Sequence, residues 1–361
     1  MAAVASQPIA RTQTASTGVL SGAKKFTSSF LFRRLLRAAF TIFFVITLIF
    51  FLVRLLPGNP IQVYINQQMT QYGYSYDQAR NMAQSLFSID TDKPMFLQYL
   101  DYLKNLSQGN LGMSVSSPGT TVSSIIASRI WWTVFSVGSG LLIAFTLGVT
   151  LGMLMAYKRG SWIDSALSSF ASLATSIPNY LVAILILTIF GVWLEVLPFV
   201  PMRGSISSGQ QIEFSWTFLL DALYHAWLPI FVYVLTSIGG WMLTMKSTTV
   251  AALEEDFVTA ARARGIPEWR VAIFYVGRNA ILPLFTSLAT AIGAVVGGSL
   301  LMEPIFQYKG LGSELFRSIQ QRDYSVLQGI FLVITISVVL ANLIADLLYS
   351  RLDPRIRAQG K

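Results

Sequence analysis

The chain has 361 residues, of which 53% are hydrophobic and only 12% charged, with 26 Lys and Arg against 17 Asp and Glu. A charged fraction about half the usual one, roughly 25%, leaves too little charge to cover a water-facing surface of this size, so most of the exterior faces lipid and an ordinary cytosolic enzyme is excluded. With no cysteine and one histidine, disulfides, thiolate nucleophiles, cysteine-bound zinc, iron–sulfur clusters and multi-histidine metal sites are excluded as well.

The first 24 residues are rich in Ala, Ser, Thr and Gln. Residues 1–30 read as a disordered cytoplasmic tail; a targeting peptide is the competing reading, since the tail lacks acids. Residues 31–361 read as a single membrane domain. A spanning helix needs about 20 apolar residues, and six stretches qualify. They run from about Leu35 to Leu56, from Trp131 to Tyr157, and from Ile163 to Leu197 with Pro178 inside. The others are Ala226 to Met245 with Pro229 inside, Ile281 to Met302, and Val326 to Tyr349. The fold class is therefore all-α, with six transmembrane helices. Small residues in AIGAVVGGS suit close helix packing in the fifth span. The apolar run of the first span is too long for a cleaved signal and ends in PGNP, so it reads as a retained helix.

With the N-terminus in the cytoplasm, most of the 26 basic residues fall inside: at 11–37, at Lys158 and Arg159, at 246–278, and at 351–361. This is the expected lysine and arginine bias of cytoplasmic loops. Six spans return the C-terminus to the cytoplasm. The positive charge is thus a topology signal, and nucleic acid is not an expected partner. Residues 57–130 form a large external region, with helical patterning at Tyr76–Leu86 and Lys93–Leu106. Residues 199–225 form a shorter external loop.

The inside segment 246–280 is unusual. A helix-forming stretch from Val250 to Arg264 stops at Gly265, a residue suited to the left-handed position after a helix. Pro267 then suits the first turn of a second helix, with Glu268 near its positive end. The result is a helix–Gly–helix hairpin tied to spans four and five, with Arg262 and Arg264 flanking the turn. A solvated loop is the plain alternative.

AARARG followed by RNAILP resembles the coupling-loop signature of ABC-importer permeases of the dipeptide/oligopeptide/nickel branch. Thr259, Ala260, Ala261 and Gly265 match the general Glu-Ala-Ala…Gly motif, with Thr in place of Glu. FRRLLR…PGNP, KPMFLQYLDYLKNLSQGNLGMSV, KRGSWIDSALSSF, MEPIFQYKGLG, QRDYSVLQG and LDPRIR are similar to other parts of the branch, in the same order. The resemblance implies one half of a permease heterodimer in the prokaryotic cell membrane. Its implied partners are a second permease, two cytoplasmic ATPases holding ATP and Mg, and an extracytoplasmic binding protein that delivers substrate. It also implies that Glu255, Asp256, Ala260, Ala261, Arg262 and Gly265 contact an ATPase. The sequence holds no G-x-x-x-x-G-K-[ST] phosphate loop, so the chain is not expected to hydrolyse ATP or to bind a cofactor itself. Peptides are the first expected substrate, with oligosaccharides or nickel complexes as alternatives; no substrate-contacting residue is assigned.

Other residues carry plainer expectations. Pro178 and Pro229 should kink spans where protein satisfies the freed carbonyls. His225 reads as an interfacial structural histidine. Trp131, Trp132, Trp193, Trp216 and Trp227 read as interfacial belt anchors. Arg54 and Asp346 are intramembrane charges within snorkelling reach of a helix end. Glu195 and Glu303 lie near external helix ends, where a cavity or the binding protein would use them. A stand-alone secondary transporter or channel would show inverted repeats and an acidic proton relay in the spans; this sequence shows no convincing repeat, and its spans contain few ionisable groups. An intramembrane enzyme is poorly supplied, with no Cys, one His and no paired intramembrane Asp.

Overall fold

A computed structural model describes residues 30–55, 60–87, 93–199 and 201–352. Residues 1–29 of the expected tail, the first three residues of the PGNP exit and the basic C-terminal segment from Asp353 onward lie outside the described residues, while Phe30 and Pro60 open the first two helices. Among these the secondary structure is helical, with one isolated antiparallel bridge between Met113 and Thr121. In chain order the helices are α1 (Phe30–Leu55), α2 (Pro60–Tyr72), α3 (Tyr76–Phe87), α4 (Met95–Ser107) and α5 (Val122–Tyr157). They continue with α6 (Trp162–Ser176), α7 (Asn179–Trp193), α8 (Trp216–Leu253), α9 (Asp256–Ala263) and α10 (Glu268–Ala280). The last are α11 (Leu282–Val295), α12 (Met302–Ile305), α13 (Leu311–Gln321) and α14 (Tyr324–Leu352).

Four helices, α1, α5, α8 and α14, are long and apolar enough to cross a membrane singly. Two further pairs meet the same criterion only together: α6 with α7, bent by 98°, and α10 with α11, bent by 52°. The third expected span is therefore not a kinked rod. Ile177 leaves the helical region, Pro178 is extended at φ −56° and ψ 140°, and the chain turns a right angle before α7 starts. Proline is compatible with that start because it needs no amide partner there. Pro229, by contrast, sits inside the continuous 38-residue α8, buried among other side chains.

Glycine decides which helices touch. On α5, Gly140, Gly148 and Gly152 face α8, and a Cβ on Gly152 would run into the backbone carbonyl of Met242 and lie 2.8 Å from the Met245 Cβ. On α11, a Cβ on Gly293 would stand 2.8 Å from the Val338 Cα of α14. The small-residue face expected in AIGAVVGGS is thus the α11–α14 contact. α6 and α1 complete the bundle, packing on α8 and α14 respectively. Outside it, α2 and α3 form a small satellite around Tyr64, Ile65, Ala79 and Ala83. The helical patterning at Tyr76–Leu86 and Lys93–Leu106 appears as α3 and α4; α2 and α13 were not anticipated.

Two expectations for single residues change. Trp132 is no belt anchor: it packs on a buried cluster and meets Tyr308 edge-on at 6.3 Å, whereas Trp131, Trp193 and Trp216 are all more than 70% exposed. His225 keeps a structural role but faces protein: it is buried on α8, and its Nε2 lies 3.2 Å from the Ser207 hydroxyl. Backbone positions of Arg54 and Asp346 fall in α1 and α14, but their side chains lie outside the described residues.

Candidate functional site: the hairpin between α8 and α11

The long helix α8 does not run to Arg264. It stops at Leu253, Glu254 caps it, and Glu255 restarts the chain in an extended conformation at φ −77° and ψ 145° as the residue before α9. Three consecutive acids, Glu254, Glu255 and Asp256, therefore crowd the α9 N-terminus, where the helix dipole favours negative charge. Arg262 and Arg264 sit at the opposite end, where it favours positive charge. α9 ends as expected. Gly265 adopts φ +74°, its amide bonds the Arg262 carbonyl at 2.9 Å, and the Ile266 amide bonds that of Ala261 at 3.3 Å. Pro267 is the extended residue before α10, not part of its first turn, which begins at Glu268.

One face of this hairpin is built into the bundle. Val258 and Ala261 of α9 are buried with Val271, Val276 and Ala280 of α10, Leu284 of α11, and Met245 and Ala252 of α8. A cluster of that kind ties α9 to both flanking spans through side-chain packing as well as through the chain. A second tie lies close by: the Lys246 ammonium meets the Asp164 carboxylate at 2.5 Å and donates to the Ser168 hydroxyl at 3.0 Å. This clamps the lower part of α8 to the start of α6. Arg159, in the turn between α5 and α6, reaches Glu254 at 3.6 Å across solvent.

The opposite face is open. Glu255, Asp256, Ala260, Arg262 and Gly265 are exposed, as are Thr259 and Arg264. Phe257 is also exposed, by 37%, and was not singled out from the sequence, because one Phe directly after a run of acids carries no periodic signal. Ala261 is different from its neighbour. It is 3% exposed, so its small side chain serves packing beneath α9 and presents nothing outward. Arg262 does not stand free: its guanidinium grips Glu268 with Nε at 2.7 Å from Oε1 and Nη2 at 3.3 Å from Oε2. That two-pronged bond closes the hairpin from α9 to α10, holds the guanidinium in place, and raises the already high Arg262 pKa.

Glu303 proves to be a buried joint and not an external contact. It is 1% exposed. Its carboxylate accepts from the Thr133 hydroxyl of α5 at 3.0 Å and from the Ser313 amide in the first turn of α13 at 3.0 Å. It thereby caps α13, where the first amides lack helical partners. Gly310 and Gly312 make the cap possible. A Cβ on Gly310 would collide with the carboxylate, and one on Gly312 would stand 2.6 Å from the Ser299 carbonyl oxygen. This is a physical reason for the glycines of MEPIFQYKGLG. Glu195 is exposed at the end of α7 in a left-handed conformation, φ 52°.

Residues 148–358 match the family described as binding-protein-dependent transport system inner membrane component. A Brucella suis chain whose name carries the words peptide permease protein is 37% identical over 310 residues, covering 86% of this chain and 93% of that one. The di/tripeptide transport system permease protein DppB of Pseudomonas aeruginosa is 31% identical, covering 92% and 99%. The oligopeptide transport system permease protein AppB of Bacillus subtilis is 29% identical, covering 91% and 99%.

Proposed function

Since this chain belongs to the family of binding-protein-dependent transport inner membrane components, we propose that it forms one half of the translocation pathway of an ATP-driven peptide importer. It is a multi-pass membrane permease subunit. The peptide substrate is carried over from the names of its relatives. In this reading each bent pair is one span, giving six, and both termini lie in the cytoplasm, consistent with the distribution of arginine and lysine. A second permease subunit completes the pathway, an extracytoplasmic binding protein delivers the peptide, and two cytoplasmic ATPases hold the ATP and Mg.

The observation that carries the reading is the two-faced hairpin. Its buried face is welded to α8, α10 and α11, and its exposed face carries Glu255, Asp256, Phe257, Ala260 and the Gly265 turn. A partner pushing on the open face moves both spans as one body, which is the geometry a rocking switch between two states requires. The exposed Ala260 lets a partner surface approach closely, and the three acids give it a charge to match.

Gly265 provides the test. Nothing lies within 4 Å of where its Cβ would be, so a substitution there strains the turn without steric collision. Gly265→Val, with a β-branched side chain in the left-handed region, should disrupt the turn, while Gly265→Asn should be tolerated. In the reconstituted complex, Gly265→Val is expected to keep ATPase activity and membrane insertion but to lose peptide uptake. Normal uptake by Gly265→Val would overturn the coupling assignment.

A further inference from the structure

Helices α1 and α14 leave a cleft between them at the end of the bundle where α1 begins. It encloses about 190 Å³ and is lined by Arg34, Arg37 and Thr41 of α1 and by Val339 and Asn342 of α14, among others. Arg34, Arg37 and Thr41 follow one another at spacings of three and four, so they share one helical face. The Arg37 Nε donates to the Arg33 carbonyl at 3.4 Å, which holds its guanidinium alongside the helix. The Asn342 side-chain oxygen accepts from the Thr290 hydroxyl of α11 at 3.1 Å, leaving its NH2 group as a donor. The cleft therefore presents guanidinium, hydroxyl and amide donors around a small volume. Charge at the start of α1 is one-sided: it carries Arg33, Arg34 and Arg37, and α1 holds no acid.

Such donors suit a phosphate group. The surroundings indicate which kind. On the outward sides of the same two helices, Leu36, Phe40, Phe43, Phe44, Leu340 and Ile344 are 48–66% exposed. An anion with acyl chains has somewhere to lay them; a free phosphate has no use for this surface. A basic pocket between helices near the cytoplasmic surface is the arrangement expected for anionic headgroups. A zwitterionic headgroup would bring its own ammonium against the arginines.

We propose that this cleft binds the headgroup of an anionic phospholipid of the cytoplasmic leaflet, with Arg34 and Arg37 on the phosphate and Asn342 on the ester or glycerol oxygens. The proposal rests on the cytoplasmic placement of the N-terminus given above. Bound there, the lipid fastens the peripheral α1 to α14.

The permease, purified with its co-isolating subunits, is incorporated into vesicles of phosphatidylcholine alone or phosphatidylcholine with phosphatidylglycerol, and retained lipid is counted by native mass spectrometry. The expected result is selective retention of phosphatidylglycerol, unaffected by added inorganic phosphate. Arg34→Gln/Arg37→Gln should lower that selectivity about 25-fold, each arginine near the surface contributing about five-fold. Arg34→Lys/Arg37→Lys, which keeps both charges, should retain most of it. Equal retention of the two lipids, an unchanged Gln double variant, loss of selectivity in the Lys double variant, or displacement by inorganic phosphate would each overturn the proposal. Topology is read separately. The chain has no cysteine, so Lys158→Cys, in the exposed turn between α5 and α6 and away from the docking face of α9, offers a single site for a membrane-impermeant maleimide. Labelling from the inside with no lipid selectivity rejects the headgroup site alone; labelling from the outside rejects the topology on which it depends.

Discussion

The buried joint at Glu303 gives the sharpest prediction, because its chemistry depends on pH. Glu303 lies beyond α11, outside the membrane-spanning helices. Burial pushes its carboxyl from an ordinary 4.5 up to about 7. The Ser313 amide, the Thr133 hydroxyl and the nearby amides of Ser299 and Gly312 pull the other way and only partly offset it. The folded protein therefore holds this proton to higher pH than the unfolded chain does. The stabilisation tied to the proton is complete below about pH 4.5 and is lost as pH rises through 7. A shift of that size is worth about 3 kcal/mol. Between pH 5 and pH 8 the wild-type protein should lose roughly that much from this one group, a fall of about 5 °C in unfolding midpoint. Glu303→Gln cannot ionise and should be flat over the same range. It should be the less stable protein at pH 5, because its NH2 faces donors that the carboxyl accepts from. The assay is thermal unfolding of both proteins in detergent at pH 5 and pH 8, read as the difference between the two pH dependences. If Glu303→Gln falls as steeply as the wild type, the carboxyl is ionised throughout, and the amides of α13 outweigh burial.

Three further outcomes follow from the packing. Gly152→Ala should cost about 1–3 kcal/mol, because the added methyl meets the Met242 backbone and must push α5 from α8; the unfolding midpoint checks it, with exposed Ala263→Ser as a neutral control. Lys246→Met strands a mostly buried Asp164 carboxylate, so it should destabilise by about 1–3 kcal/mol, and Asp164→Asn added to it should recover part of the loss. Arg262→Ala breaks a pair whose side chains are 45% and 62% exposed, so it should change global stability by less than about 1 kcal/mol. In the assembled complex the same change should lower peptide uptake per ATP hydrolysed if the closed hairpin transmits force; unchanged stoichiometry would show that the pair is dispensable.

The features legible in the sequence are those set by composition and local chain chemistry. Too few charges for a water-facing surface, long apolar runs, and a lysine and arginine bias define a polytopic membrane chain, because lipid tolerates only backbone that satisfies itself within helices. Gly265 announced its turn because a positive φ is a property of one residue. The absence of a phosphate loop likewise needed no fold. What the tertiary structure decided are properties of pairs. Ala260 and Ala261 are identical neighbours in sequence, yet one is exposed and the other buried, since the side of α9 that packs depends on where α8 and α10 run. Glu303 looked like an external contact until Thr133, 170 positions earlier, and the start of α13 closed over it. Arg262 looked outward until the turn brought Glu268 beneath it. Pro178 reads as a kink in one dimension, and only the course of α6 and α7 makes it a right-angle corner. In each case the side chain's role is fixed by partners brought together by packing, and a residue type carries no record of them.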